Sequence, residues 1–120
     1  MKIKIYQASE ANFVDYAEDY MRLHVKSIRT VGQEDQSDFI NSFKEDLWEN
    51  GYFCNVIEKE INDKHIAKFN TNQILNYIFE LGNVDELFCE DLPKYISVLD
   101  VIELQDVKYI VMPMGFTVLE

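Results

Sequence analysis

Tyr95-Ile-Ser-Val-Leu-Asp-Val-Ile-Glu-Leu104, then Gln105-Asp106, then Val107-Lys-Tyr-Ile-Val111, is the stretch that decides how this chain folds. Two β-branched runs separated by two residues read as a β-hairpin. Gly115-Phe-Thr-Val-Leu119 follows as a further apolar run, with Gly115 free to take a positive φ before it. Ser97 and Asp100 are short polar residues inside the first run, where each costs strand propensity. Their oxygens are expected to satisfy backbone donors at a bend or bulge. Working outward, Lys2-Ile-Lys-Ile-Tyr6 alternates polar and apolar as a strand with one wet face does. Residues 52–61 read as another strand, ended by the turn Asn62-Asp63-Lys64.

Between these runs the periodicity is helical. Over residues 11–29, Phe13, Tyr16, Ala17, Tyr20, Met21, Leu23, His24, Val25 and Ile28 share one wide arc at about 100° per residue. Asp15, Glu18, Asp19, Arg22, Lys26 and Arg29 fall opposite. This predicts one amphipathic helix with the arc on the core, a Glu18–Arg22 pair, and acids preceding bases as the helix dipole favours. A second helix is predicted from Ser37 to Glu49, with Phe39, Ile40, Phe43 and Leu47 inward and Asn50-Gly51 as its stop. Trp48 falls between its faces, at a core edge or as a contact anchor. A third runs from Thr71 to Leu81, with Gly82 as its stop and one more turn over residues 83–89. The expected fold class is α+β: one acidic domain over residues 1–120, with a small mixed or antiparallel sheet, about three helices and a C-terminal β-hairpin.

Apolar content of 48 % supplies a core and argues against disorder. The net charge of −11 is uneven. Residues 1–32 carry five Lys/Arg against four Asp/Glu, whereas residues 33–64 and 65–120 each carry three against nine. Such a surface repels nucleic acid and anionic membrane and attracts basic partners. No apolar stretch approaches the roughly 20 residues of a membrane span. The opening Met-Lys-Ile-Lys-Ile-Tyr is too short and too quickly polar for a signal peptide, so a cytoplasmic location is expected.

No run of residues makes a catalytic or metal constellation. Cys54 and Cys89 read as free buried thiols, and their acidic surroundings are expected to raise a thiol pKa. Two histidines and two cysteines at wide spacings do not make a zinc motif. His24 on the apolar arc reads as a core histidine. The glycines read as punctuation, not as a phosphate loop. No cofactor is expected, and the expectation is a binding protein, not an enzyme. A site assembled from distant residues, for instance Cys54, His65 and a carboxylate, stands as a third reading.

Tyr6-Gln7, Ile74-Leu-Asn-Tyr-Ile-Phe79, Ser97-Val-Leu-Asp-Val-Ile102, Tyr109 and Gly115-Phe116 together resemble the YodL-like domain of phage and conjugative-element proteins, which often occurs inside large polyvalent proteins. The resemblance covers mainly residues 70–118. The chain departs from that pattern at Leu99, where the family carries a second serine, and in a longer helical stretch over residues 30–50. The resemblance implies a mobile-element protein and carries over no catalytic residues.

Charge and resemblance together lead to an expected function. The chain reads as a mobile-element accessory protein that binds and inhibits a host defence nuclease, an anti-CRISPR or anti-restriction protein. Its acidic surface would compete with nucleic acid for a basic groove. The partner-binding residues expected are Asp38, Glu45 and Glu49 on the second helix and Asp85, Glu86, Glu90 and Asp91 near the third. The expected partner is a protein with a basic surface, a nucleic-acid enzyme first. Nucleic acid and membrane are not expected to bind directly, and a homodimer is open. The alternative is an immunity protein that neutralises a basic toxin by the same acidic surface.

Overall fold

The computed structural model of the protein describes residues 1–119. Five strands, β1 (Lys2–Gln7), β2 (Asn55–Glu60), β3 (Val101–Leu104), β4 (Val107–Val111) and β5 (Phe116–Leu119), form one antiparallel sheet in the order β2-β1-β3-β4-β5. The first strand is therefore internal, with Ile5 between Ile57 and Ile102. β3, β4 and β5 follow one another as a meander at the other side, so the C-terminal hairpin is as the sequence implied. Leu104 and Val107 close the β3–β4 turn, with Gln105 at φ 51° and Asp106 at φ 65°. Both central residues are left-handed, the type I′ geometry that matches strand twist.

Strand alternation sends side chains to two different cores. Ile3, Ile5, Ile102, Leu104 and Val111 share one face, covered by α5 (Thr71–Val84) through Ile74, Leu75 and Ile78. Val101, Ile110 and Leu119 share the other, covered by α2 (Ala17–Arg29) and α3 (Ser37–Phe43) through Tyr20, Leu23, Phe39 and Phe43. Burial on both sides explains why Val101 and Ile102 are adjacent and both apolar. The far end of this second face is polar, because Lys4, Glu103 and Lys108 lie opposite one another across β1, β3 and β4. There Tyr6 donates its hydroxyl to Glu103 Oε1 at 2.6 Å. Burial and that hydrogen bond push the Tyr6 phenol up to about 12.

Short elements complete the chain. α1 (Glu10–Asp15) is capped by Ser9, whose Oγ accepts from the Asn12 N–H at 3.1 Å. α4 (Asp63–Ile66) begins within the turn expected at Asn62-Asp63-Lys64, with Asn62 as its cap. α6 (Glu86–Cys89) follows α5, which begins with a reciprocal Asn70–Gln73 capping box.

Three predicted elements are corrected. The single helix over 11–29 breaks at Tyr16, whose hydroxyl donates to the Asn50 carbonyl at 2.7 Å. The second helix ends in a π-helical turn, Lys44–Trp48, marked by the Glu49 N–H to Lys44 carbonyl bond at 2.8 Å. Gly82 does not end the third helix, which continues to Val84. A Cβ on Gly82 would lie 2.2 Å from Ile96 Cδ1, so its missing side chain lets the segment before β3 press against α5.

The Ser97–Asp100 bend is a turn in which the Asp100 N–H bonds to the Ser97 carbonyl at 3.0 Å. Leu99 takes φ 74° and is fully buried. Asp100, only 2 % exposed, accepts at Oδ2 from the Ser97 N–H at 2.9 Å and from Gln7 Nε2 at 3.1 Å. Its Oδ1 lies 3.3 Å from Lys94 Nζ. The Ser97 hydroxyl instead accepts from Lys94 Nζ, at 2.9 Å. Burial pushes the Asp100 carboxyl up, and Lys94, the Ser97 N–H and Gln7 pull it back.

Candidate partner-binding surfaces

The acidic residues singled out from the sequence divide between the two layers that flank the sheet. Asp38 opens α3, while Glu45 sits on the π-helical turn and Glu49 at its end. All three are exposed, and none makes an ion pair within the described residues. They point away from a core face built of Phe39, Phe43 and Leu47. Asp46, between them, is instead held by Arg22, which also bonds Asp19 at 3.0 Å. The expected Glu18–Arg22 pair is thus replaced by a tie from α2 to the π-helical turn. Trp48 is half-buried, with its ring 5.2 Å from Tyr6 and 5.6 Å from Phe53. It caps the core edge beside the acidic side.

Asp85, Glu86, Glu90 and Asp91 lie at α6, whose Phe88 packs into the opposite, isoleucine-rich core. The two acidic groups therefore lie on opposite sides of the sheet and do not merge into one surface. Within the second group, Asp85 is spent on capping α6, accepting from the Phe88 N–H at 3.0 Å. Asp91 pairs with Lys59 of β2, which holds its carboxyl below the usual range. Glu86 and Glu90 remain outward without an ion pair among the described residues. Beside them Leu87 is 81 % exposed, in company with Val84 and Tyr95. The capping role of Asp85 was readable in principle, since Asp before a short helical run is a common N-cap. The Lys59–Asp91 tie joins residues far apart in sequence and had no local signal.

The candidate reactive groups do not converge. Cys54 is exposed, not buried, and Cys89 is half-buried; both are free. The Ser9 side chain, together with the Ser9 N–H that donates to Cys54 Sγ at 3.3 Å, holds that thiol below its usual range. The expected upward push from acidic surroundings is thus overturned by the polar groups of Ser9. Cys54 precedes β2 and His65 follows it, so at about 3.3 Å per residue the strand keeps them roughly 20 Å apart. His65 instead lies 3.5 Å from the Tyr77 hydroxyl. His24 is half-buried with its ring against Tyr20. Among the described residues no group of three or more His, Cys, Asp or Glu is placed to hold a metal ion, and no helix is long and apolar enough to cross a membrane.

One feature escaped the sequence reading. Met21, Val25 and Ile28, assigned to the core arc, are between 43 % and 55 % exposed. Phe13 and Val14 of α1 are exposed with them. The signal was present in the arc itself, which spans roughly 200° of the helix where a core-facing stripe needs little more than 100°. No family model, curated protein or solved structure matches this chain.

Proposed function

We propose that the protein is a mobile-element accessory protein that inhibits a nucleic-acid enzyme of host defence, a restriction or CRISPR nuclease, by seating an acidic surface in that enzyme's nucleic-acid groove. It acts in the cytoplasm by occupancy, not by turnover, and without a cofactor. The observation that carries this reading is the carboxylate set Asp38, Glu45 and Glu49 on the outward side of α3 and the π-helical turn, which makes no ion pair among the described residues. Duplex DNA presents about one charge per 1.7 Å of axis, so a groove built to receive it attracts closely spaced carboxylates. The rigid backing of Phe39, Phe43 and Leu47, all fully buried, keeps these acids fixed. Glu86 and Glu90 offer a smaller second surface on the other side.

The test is inhibition of a panel of purified restriction and CRISPR nucleases, with the charge reversals Asp38→Lys, Glu45→Lys and Glu49→Lys combined in one variant. Glu86→Lys with Glu90→Lys serves as the control from the opposite layer. The expected result is inhibition that weakens with salt, as exposed charge contacts do. It should be relieved by excess DNA, lost in the triple variant and kept in the control. Inhibition that survives the triple reversal rejects the acidic-groove mechanism. Salt-sensitive capture of a cationic toxin, with no nuclease affected, would transfer the same surface to an immunity role.

A further inference from the structure

α2 has two apolar sides. Tyr20, Leu23 and Ser27 are buried against the sheet. Met21, Val25 and Ile28, spaced i, i+4, i+7, lie roughly 130° around the helix from them at about 100° per residue. Val14 of α1, 67 % exposed, adds an outward apolar side chain just before the break at Tyr16. A stripe of this spacing is the kind that seats against another helix. Its charges are sorted along the axis: Asp15, Glu18 and Asp19 come first, then Arg22, Lys26 and Arg29. Glu18 and Arg29 are exposed and make no ion pair among the described residues.

We propose that α2 is the seam of a two-fold symmetric homodimer in which the two helices run antiparallel. Three observations select a second copy as the occupant. A two-fold contact is self-complementary, and a helix with acids at one end and bases at the other complements itself only when reversed. A two-fold axis near Met21 sets Met21 against Met21 and Val14 against Ile28 of the second copy. It brings the acidic end of one helix, Asp15 and Glu18, alongside the basic stretch from Arg22 to Arg29 of the other, because the charged flank of one helix then faces the same flank of the other. Residues 1–32 are also the one segment of the chain that is not strongly acidic, so two copies with a net charge of −11 meet here with least repulsion. Finally, a groove of about 740 Å³ lies beside the stripe. Its lining includes Met21, Val25, Arg22, Lys26 and Arg29 of α2, together with Asp35 and Asp38. The groove gives the acidic end of the second helix a cationic wall to rest on.

The test is the mass of the intact chain in solution by sedimentation equilibrium, from micromolar to submillimolar concentration. The expected species is a dimer of the 14.2 kDa chain. Met21→Glu should make it monomeric while circular dichroism and melting temperature stay unchanged, since that side chain is 55 % exposed. Glu18→Arg and Arg29→Glu should each raise the dimer dissociation constant tenfold or more, and the two combined in one chain should restore it. A chain that stays monomeric throughout, or a dimer indifferent to Met21→Glu and to the charge swap, overturns the proposal. So does a monomer that binds an acidic amphipathic peptide at the same helix, which would make the stripe a site for a different partner. The mass measurement involves no nuclease, so its outcome is separable from the functional reading above.

Discussion

Asp100 ties together three parts of the chain that are distant in sequence. Its carboxylate receives Gln7 from β1 and Ser97 and Lys94 from the approach to β3, and its carbonyl accepts from the Val111 N–H of β4 at 2.8 Å. Asparagine has nearly the same shape, but its NH₂ would face the Lys94 ammonium and leave a buried donor without an acceptor. Removing one partner of a buried charged pair while stranding the other is the costly kind of change. Asp100→Asn is therefore expected to lower unfolding free energy by about 2–3 kcal/mol. Asp106→Asn, exposed in a left-handed position that asparagine tolerates, should stay within about 0.5 kcal/mol. Urea denaturation of both variants measures the difference, and equal midpoints would refute it. The polar interruptions at Ser97 and Asp100 were legible because they break an apolar run. The left-handed Leu99 between them was not, because leucine avoids that region and takes it here only where the core claims its side chain. Gln7, fully buried at the end of β1, gave no sign of its role because its acceptors lie some 90 positions along the chain.

At the scale of elements, the hairpin was readable and the helix ends were not. Gln105-Asp106 has neither the glycine nor the asparagine that type I′ turns favour, so the two-residue spacing alone carried the assignment. Asp106→Gly is accordingly expected to raise stability by about 0.5–1 kcal/mol, seen as a higher urea midpoint with an unchanged slope. Gly82 shows the opposite case. Alanine is the better helix former by about 1 kcal/mol, so propensity alone predicts a gain from Gly82→Ala. The 2.2 Å approach of Ile96 reverses the sign. Ile96 is itself buried and its N–H bonds to the Gly82 carbonyl at 3.1 Å, so it has nowhere to retreat. Overpacking of this kind costs about 1–3 kcal/mol, and a net loss of roughly 1–2 kcal/mol is expected on thermal or urea unfolding. A melting temperature at or above that of the parent chain would show that Ile96 can move. A stop glycine and a contact glycine look identical in sequence, because the difference lies in a neighbour 14 residues away. The break at Tyr16 is hidden for the same reason, since the Asn50 carbonyl it serves belongs to another element.

For the whole molecule, the sheet's two covered faces explain both what periodicity could read and what it could not. Alternation in β1 marked one wet face, yet only the end carrying Lys4, Glu103 and Lys108 is wet; toward the other end the same face holds Val101 and Ile110. That division leaves buried and half-buried ionisable groups on both layers, and their shifts combine into one pH profile. Glu103 is held below its usual range by the Tyr6 hydroxyl and by Lys108, so the stability it contributes is present at neutral pH and lost as acid protonates it. Asp100 is raised by burial, and its contribution is lost in the other direction, as pH climbs through its folded-state value. Tyr6 titrates at about 12 in the fold against 10.0 as a free phenol, and burial also raises Tyr20 and Tyr52. The unfolded chain therefore releases protons near pH 10 that the folded chain still holds, and stability must fall between about 10 and 12. Rising pH also adds negative charge to a chain already at −11. The expected profile is a maximum on the acid side of neutrality and a steep alkaline limb. Denaturant midpoints taken across the pH range measure it, with the phenolate absorbance band following the tyrosines. Tyr6→Phe should soften the alkaline limb by removing one of the three protected phenols. An alkaline limb of unchanged steepness in that variant would mean that neither burial nor the hydrogen bond to Glu103 holds the Tyr6 proton in the folded chain.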